Sequence, residues 1–300
     1  MKSRLWAAAA IAAAMILCLA GVAVGQDKVS ASEWVEQIGN KGSVNWTDGY
    51  VEAVGIGAPP QRNIGTPQAR PMALRAAQVD AYRNLLEVVN GVRVDSTTTV
   101  KDFTVESDII NTQVQGIVKG AKTMKQEYLS DGTVEVTVRM PMAGNFAAVI
   151  VPRILERRQA APMPATPQAP APAAPQAPAA ASPASGGEVF TGLVVDARGI
   201  QARPAMSPRI IDEKGQEVYG SMNVEREYAV QQGMSGYARD LTAAQSNSRV
   251  TNSPVSVKGL KTEGAGRSDI VIANADAEKI RANGDNQSFL KKCRVMIVLD

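Results

Sequence analysis

MALRAAQVDAYRNLLEVVNG (72–91) is the stretch on which the fold turns. Ala73, Ala77, Ala81, Leu85 and Val88 or Val89 recur at spacings of three and four, which lays one apolar stripe along a helix. The stripe opens on small side chains, so the helix can come close to a sheet at that end. Gly91 stands where a helix stop is expected.

Upstream, VNWTDGYVEAVGIG (44–57) places Asp48-Gly49 between two β-prone runs, a strong hairpin signal. Tyr50, Glu52, Val54 and Ile56 alternate with Val51, Ala53 and Gly55, as a strand with one buried face requires. SASEWVEQIG (30–39) reads as a short helix capped by Ser30 or Ser32, and APPQRNIGTPQARP (58–71) as a loop. Downstream, VRVDSTTTVKDF (92–103) is β-branched and predicts a strand. ESDIINTQVQGIVKG (106–120) predicts a helix with Ile109, Ile110, Val114 and Ile117 inward. KTMKQEYL and TVEVTVRM flank Ser130-Asp131-Gly132 as a second hairpin, and NFAAVIVPRILERR (145–158) predicts a helix broken near Pro152.

The tract QAAPMPATPQAPAPAAPQAPAAASPASGG (159–187) interrupts this patterning with eight prolines and many alanines. It reads as an extended, disordered spacer able to hold two modules apart. Beyond it, VFTGLVVDA (189–197) predicts a strand, SPRIIDEKGQEVYG (207–220) a hairpin and EREYAVQQG (225–233) a short helix. GYARDLTAAQSNSRVTNSP (236–254) is polar and irregular, a surface loop or a segment that orders on a partner. PVSVKGLKTEG and SDIVIA predict strands. ADAEKIRANG (275–284) predicts a helix with Asn274 as cap and Gly284 as stop, and CRVMIVLD, apolar throughout, a central strand. The expected organisation is a leader (1–25), a first module (26–158), the Pro/Ala linker (159–187) and a second module (188–300). The fold class is α+β, two modules of helices packed on mainly antiparallel sheets.

The N-terminus carries Lys2 and Arg4, an apolar run from Leu5 to Leu19, and small residues Ala23 and Gly25 before Gln26. That is the pattern of a secretory signal cleaved near Gly25, with an uncleaved anchor as the alternative. Cys18 follows Leu17 rather than a small residue, which argues against lipid attachment. The remaining Cys293, in an apolar strand, reads as a buried inert thiol. Lys2 and Arg4 supply two of the formal charge of +3, so the exported chain is near neutral, and aromatics are 4% of residues. Neither feature suits a nucleic-acid partner.

The sequence holds no histidine, which removes Ser–His–Asp and Cys–His catalysis and the commonest zinc ligand. VGIGAPP (54–60) has two glycines of a dinucleotide fingerprint but Pro60 in the third place, so it reads as a strand end packed tightly against a neighbour. DEKGQE (212–217) lacks the spacing of a calcium loop and reads as a turn. No catalytic residue, cofactor or metal site is predicted. Candidate interface residues are Asp196 and Arg198 in VVDARG, with Arg239 and Arg249 in the polar segment.

The segment 50–142 resembles the LPP20 family of bacterial envelope proteins and is similar to the N-terminal module of flagellar assembly protein T. The resemblance rests on VEAVGIGAP (51–59), ALRAAQVDAYRNLLEVVNGVRV (73–94), Asp108-Ile109 with VQGIVKGA (114–121), and Asp131-Gly132 with VEVTV (134–138). It implies an α+β fold, an exported location and a binding or assembly role, and carries no catalytic residue to this chain. The expected function is therefore a non-enzymatic envelope protein of the periplasm or outer membrane. Its expected partners are envelope or flagellar basal-body proteins, with peptidoglycan a further candidate, and oligomerisation is open to it. Two other readings are a carboxylate-dependent hydrolase of wall or polysaccharide material and a small-ligand binder in a groove beside helix 72–91.

Overall fold

The computed structural model describes residues 33–160, 189–282 and 284–300; the expected leader and nearly all of the Pro/Ala tract lie outside them. The first half opens on three strands, β1 (Val35–Ile38), β2 (Gly42–Asn45) and β3 (Tyr50–Gly57). Gly49, with φ of 70°, makes the turn into β3 in a conformation that a Cβ disfavours. The helix expected over 30–39 is strand β1 where it is described, laddered to β2 from Val35↔Asn45 to Ile38↔Gly42. An available edge overrides the local cap signal there.

Helix α1 (Ala69–Gly91) buries Ala73, Ala77, Ala81, Leu85, Val88 and Val89, the stripe read from the sequence. It lies against the inward face of β3. A Cβ added to Gly55 would stand 2.1 Å from the Ala81 nitrogen, and one on Gly57 would stand 2.3 Å from the Ala73 oxygen. The two glycines of VGIG are thus packing residues where helix backbone meets strand backbone. The groove expected beside this helix is a hollow of about 180 Å³ lined by Ile38, Lys41, Asn84 and Glu87.

The strand expected over 92–103 forms only the bridge Arg93↔Thr99 and then helix α2 (Val100–Glu106). The Asp102 carboxylate accepts from the Thr99 nitrogen at 2.6 Å and hydroxyl at 2.9 Å, a helix start that outweighs β propensity. Helix α3 (Asp108–Lys119) buries Ile110, Val114 and Val118. Ile109, expected inward, is exposed, and Ile117 is only partly buried. β4 (Lys122–Tyr128) and β5 (Val134–Pro141) form the expected hairpin. Helix α4 (Asn145–Ala160) runs through Pro152 without the expected break. The sheet, ordered β1-β2-β3-β5-β4, is antiparallel throughout.

The second half contributes β6 (Gly192–Asp196), β7 (Arg209–Asp212), β8 (Glu217–Tyr219), helix α5 (Arg226–Gln232) and β9 (Gly236–Ala238). Helix α6 (Leu241–Gln245), β10 (Pro254–Glu263) and β11 (Asp269–Ile272) follow. Helices α7 (Asn274–Arg281) and α8 (Gly284–Lys291) precede β12 (Val295–Val298). Gly284 opens α8 rather than ending α7, and Ala273, not Asn274, is the cap residue. The polar segment 236–254, read as irregular or partner-dependent, forms β9, α6 and the first residue of β10 within the chain itself.

The seven strands are ordered β8-β7-β11-β10-β6-β12-β9. The fold is α+β, and this second sheet is mixed. β10–β6, β6–β12, β12–β9 and β11–β7 run parallel, whereas β10–β11 and β7–β8 run antiparallel. Leu193, Val195, Val295 and Ile297 face the main core, while Val194, Met296 and Val298 face a second cluster with Ala244 and Val250. Covering on both faces explains why GLVVD and VMIV read as unbroken apolar runs.

The two halves are not held apart. Ser32–Asp300 forms one compact unit. The Met206 and Ser207 nitrogens donate to the Arg93 and Val94 carbonyls at 3.0 and 2.7 Å, and the Gly266 nitrogen donates to the Ser96 carbonyl at 2.6 Å. Ala147 and Val151 of α4 share a buried cluster with Ala229, Met234 and Cys293. The expectation of two separated bodies is corrected by this shared burial: each half leaves apolar surface that the other covers. Among the described residues, no helix is long and apolar enough to cross a membrane.

Candidate functional site

One cavity lies on the seam between the two halves. It has a volume of about 280 Å³ and is lined by Trp46 and Met142 from the first half and by Met234, Ser235, Tyr237 and Arg249 from the second. Trp46 leaves the end of β2, where its indole N–H donates to Glu36 at 3.1 Å, a carboxylate also held by Arg93 at 2.6 Å. Its ring meets the Tyr237 ring edge-on, with centroids 5.8 Å apart at 77°, a favoured aromatic geometry. Tyr237, on β9, donates its hydroxyl to the Ala205 carbonyl at 2.7 Å and accepts from the Ala205 nitrogen at 2.9 Å. Burial pushes its phenol up to about 12. The Ser235 Oγ is buried beside this phenol, and its hydrogen bonding to Tyr237 works against the effect of burial.

Arg249 follows α6 and reaches back under β9. Nη1 donates to the Gly233 carbonyl at 3.1 Å and to the Cys293 carbonyl at 2.9 Å, and Nη2 donates to the Gln232 carbonyl. Two of these acceptors close α5, so the cation sits at the negative end of that helix. No carboxylate is bonded to Arg249 among the described residues, and burial lowers its pKa from the ordinary arginine value. A guanidinium carries five N–H donors, so two remain beyond the three carbonyls. Gly236 packs closely here: a Cβ would stand 2.5 Å from the Met296 Sδ and 3.1 Å from the Arg249 Nε. One carboxylate, Asp48, also lines the cavity; its residue is exposed and its Oδ2 accepts from Asn45 at 3.4 Å.

Next to this site, Cys293 is buried with its thiol pushed up to about 11, mainly by burial. Its neighbour Tyr219 donates to the Met234 carbonyl and is raised well above the usual phenol value, again by burial. Neither group is prepared to ionise near neutral pH.

The other candidate interface residues gather elsewhere. Asp196 ends β6 in register with Val298 and, across it, Ala238, so Asp196, Arg198 and Arg239 leave the sheet at one end. Arg198 closes on Asp196 through Nε–Oδ1 and Nη2–Oδ2 hydrogen bonds, both 2.8 Å. The hydrogen bonds from Arg198 hold the Asp196 carboxyl below its ordinary value. Arg239 is exposed, beside Asp240, whose carboxylate caps α6 through the Ala243 nitrogen at 2.7 Å. Arg249 stands apart from these three, at the opposite end of β9.

Sequence reasoning named Arg249 but missed Trp46, Tyr237 and Ser235. Trp46 and Tyr237 are 191 positions apart, and no local spacing announces their meeting. The visible signal was limited to two isolated aromatics in a chain poor in them.

Residues 192–300 match the family described as Treponema pallidum Tp0624, second domain. The match spans the second half from β6 onward, about a third of the chain. No curated protein matches the chain.

Proposed function

We propose that this chain is an exported, non-enzymatic protein of the bacterial cell envelope, with a binding or assembly role in the periplasm or at the outer membrane. In this reading the first half is an LPP20-like module akin to the N-terminal module of flagellar assembly protein T, and the partners are envelope or basal-body proteins. The charged and apolar leader supports export. The observation that carries the binding role is the chemistry of the seam cavity. Its walls are aromatic rings, thioethers, backbone and one half-buried guanidinium, and its lining includes a single carboxylate, Asp48. Hydrolysis of a glycan by the usual route needs two acids flanking the bond, and the lining supplies Asp48 alone; the Glu33 carboxylate, held by the same Asn45 amide, is not part of it.

The test is cross-linking of the tagged full-length protein in living cells, followed by mass spectrometry of the envelope fraction. The expected result is a reproducible cross-link to an identified envelope or basal-body protein and cleavage of the leader near Gly25. Recovery of the chain in the cytoplasm with its leader intact would contradict the reading. So would turnover of a wall or glycan substrate that is lost on changing one Asp or Glu, which would favour the hydrolase.

A further inference from the structure

We infer that the seam cavity is a binding site for a small carboxylate with an apolar body, its carboxylate held by Arg249 and its body held between the two halves. This goes beyond the assembly role and does not depend on which envelope component is the partner.

Three observations converge on it. The first is charge. Arg249 is half-buried and partly desolvated, and it meets three carbonyls, none of which carries a formal charge to neutralise it. An unneutralised, partly desolvated cation carries a cost that an incoming anion reduces. Asp48 does not fill the role: it is exposed and bonded to Asn45, where water screens it.

The second is geometry. Two N–H donors of Arg249, one on Nε and one on Nη2, are left over beyond the three carbonyls. A guanidinium with two donors to offer suits a planar carboxylate, which accepts both. Ser235 lines the same cavity, its buried hydroxyl beside the Tyr237 phenol.

The third is the wall opposite. Trp46, Tyr237, Met142 and Met234 present aromatic and thioether surface and are nearly or fully buried. A volume of about 280 Å³ suits a single aryl or branched-alkyl group. The walls come from both halves, so the site exists only when they are joined.

The experiment is calorimetric titration of the full-length, leader-free protein with phenylacetate, indole-3-acetate and 4-methylvalerate, each against its neutral amide. At least one carboxylate is expected to bind saturably and about tenfold more tightly than its amide, the scale of a charge-assisted hydrogen bond pair. Arg249→Gln is expected to remove that preference and Arg249→Lys to keep part of it. Because Arg249 also ties down the end of α5, its variants can lose folding. Met142→Trp fills the cavity while leaving Arg249 in place and is expected to abolish binding of acid and amide alike. No saturable binding by any of the three acids, equal binding of acid and amide, or undiminished binding in Met142→Trp would each overturn the inference.

Discussion

Asp212 is 2% exposed, yet it can carry a charge because its two oxygens are fully engaged. Oδ2 accepts from Arg281 at 2.8 Å, and Oδ1 accepts from the Lys214 and Gln216 nitrogens at 3.0 and 2.8 Å. Burial alone raises this carboxyl, but the hydrogen bonds from Arg281 and the backbone outweigh it and hold the pKa below the ordinary carboxylate value. A carboxylate with a depressed folded pKa contributes stability that is present above the unfolded value and lost as pH falls through the folded one. Arg281→Met leaves the charge buried with its backbone donors alone. We expect it to destabilise the protein by about 3 kcal/mol at pH 7 in urea unfolding. The difference from the parent should shrink on acidification, because the unpaired carboxyl then protonates early. A difference that grows toward acid pH would contradict this account of Asp212. The turn itself was legible in the sequence: DEKGQE reads as a hairpin, and Gly215 sits at φ 78°. Its partner was not, since Arg281 arrives from a helix 69 residues away. The same holds at the seam, where Arg249 was a candidate but the three carbonyls that define its setting come from distant turns.

At the scale of elements, the pairing of α1 with β3 organises the first half. The alanine stripe and the glycines of VGIG are two sides of one contact, in which the helix backbone lies directly on the strand. Gly55→Ala therefore cannot be absorbed by a side-chain rotation, because the atoms it would meet are the backbone of Ala77 and Ala81. It should destabilise by about 3 kcal/mol, read as a fall in the urea midpoint at unchanged slope. A loss below about 0.5 kcal/mol would show that the close approach is looser than described. This element pair was readable because both partners carry their own periodic signal. Residues 30–39 and 92–103 were misread for opposite reasons. Val35–Ile38 looked helical but found the free edge of β2, and 92–103 looked extended but gave way to the Asp102-capped start of α2. In the second half, the apolar run of β12 pointed correctly to an interior strand. That the neighbours run parallel follows from burial on both faces, which the run implied and the mainly antiparallel expectation left out.

At the scale of the whole molecule, the Pro/Ala tract drew the eye to separation, whereas the described halves share one unit. Composition shows where patterning stops, but carries no information about whether the patterned parts touch. The contacts that join them are backbone hydrogen bonds at 93–96 with 206–207 and 266, an aromatic edge at Trp46–Tyr237, and the cluster of α4 with α5 and Cys293. None has a local sequence signature. The central claim is that residues 33–160 and 189–300 fold and persist as one body, with the carboxylate-sized cavity on their boundary. The most direct test inserts a specific protease site within 165–180, cleaves the folded protein there, and follows the two fragments by native size-exclusion chromatography and urea unfolding. The account predicts that the fragments co-elute at the mass of the intact chain and unfold in one shared transition. Elution as two separate folded halves, each with its own transition, would contradict it.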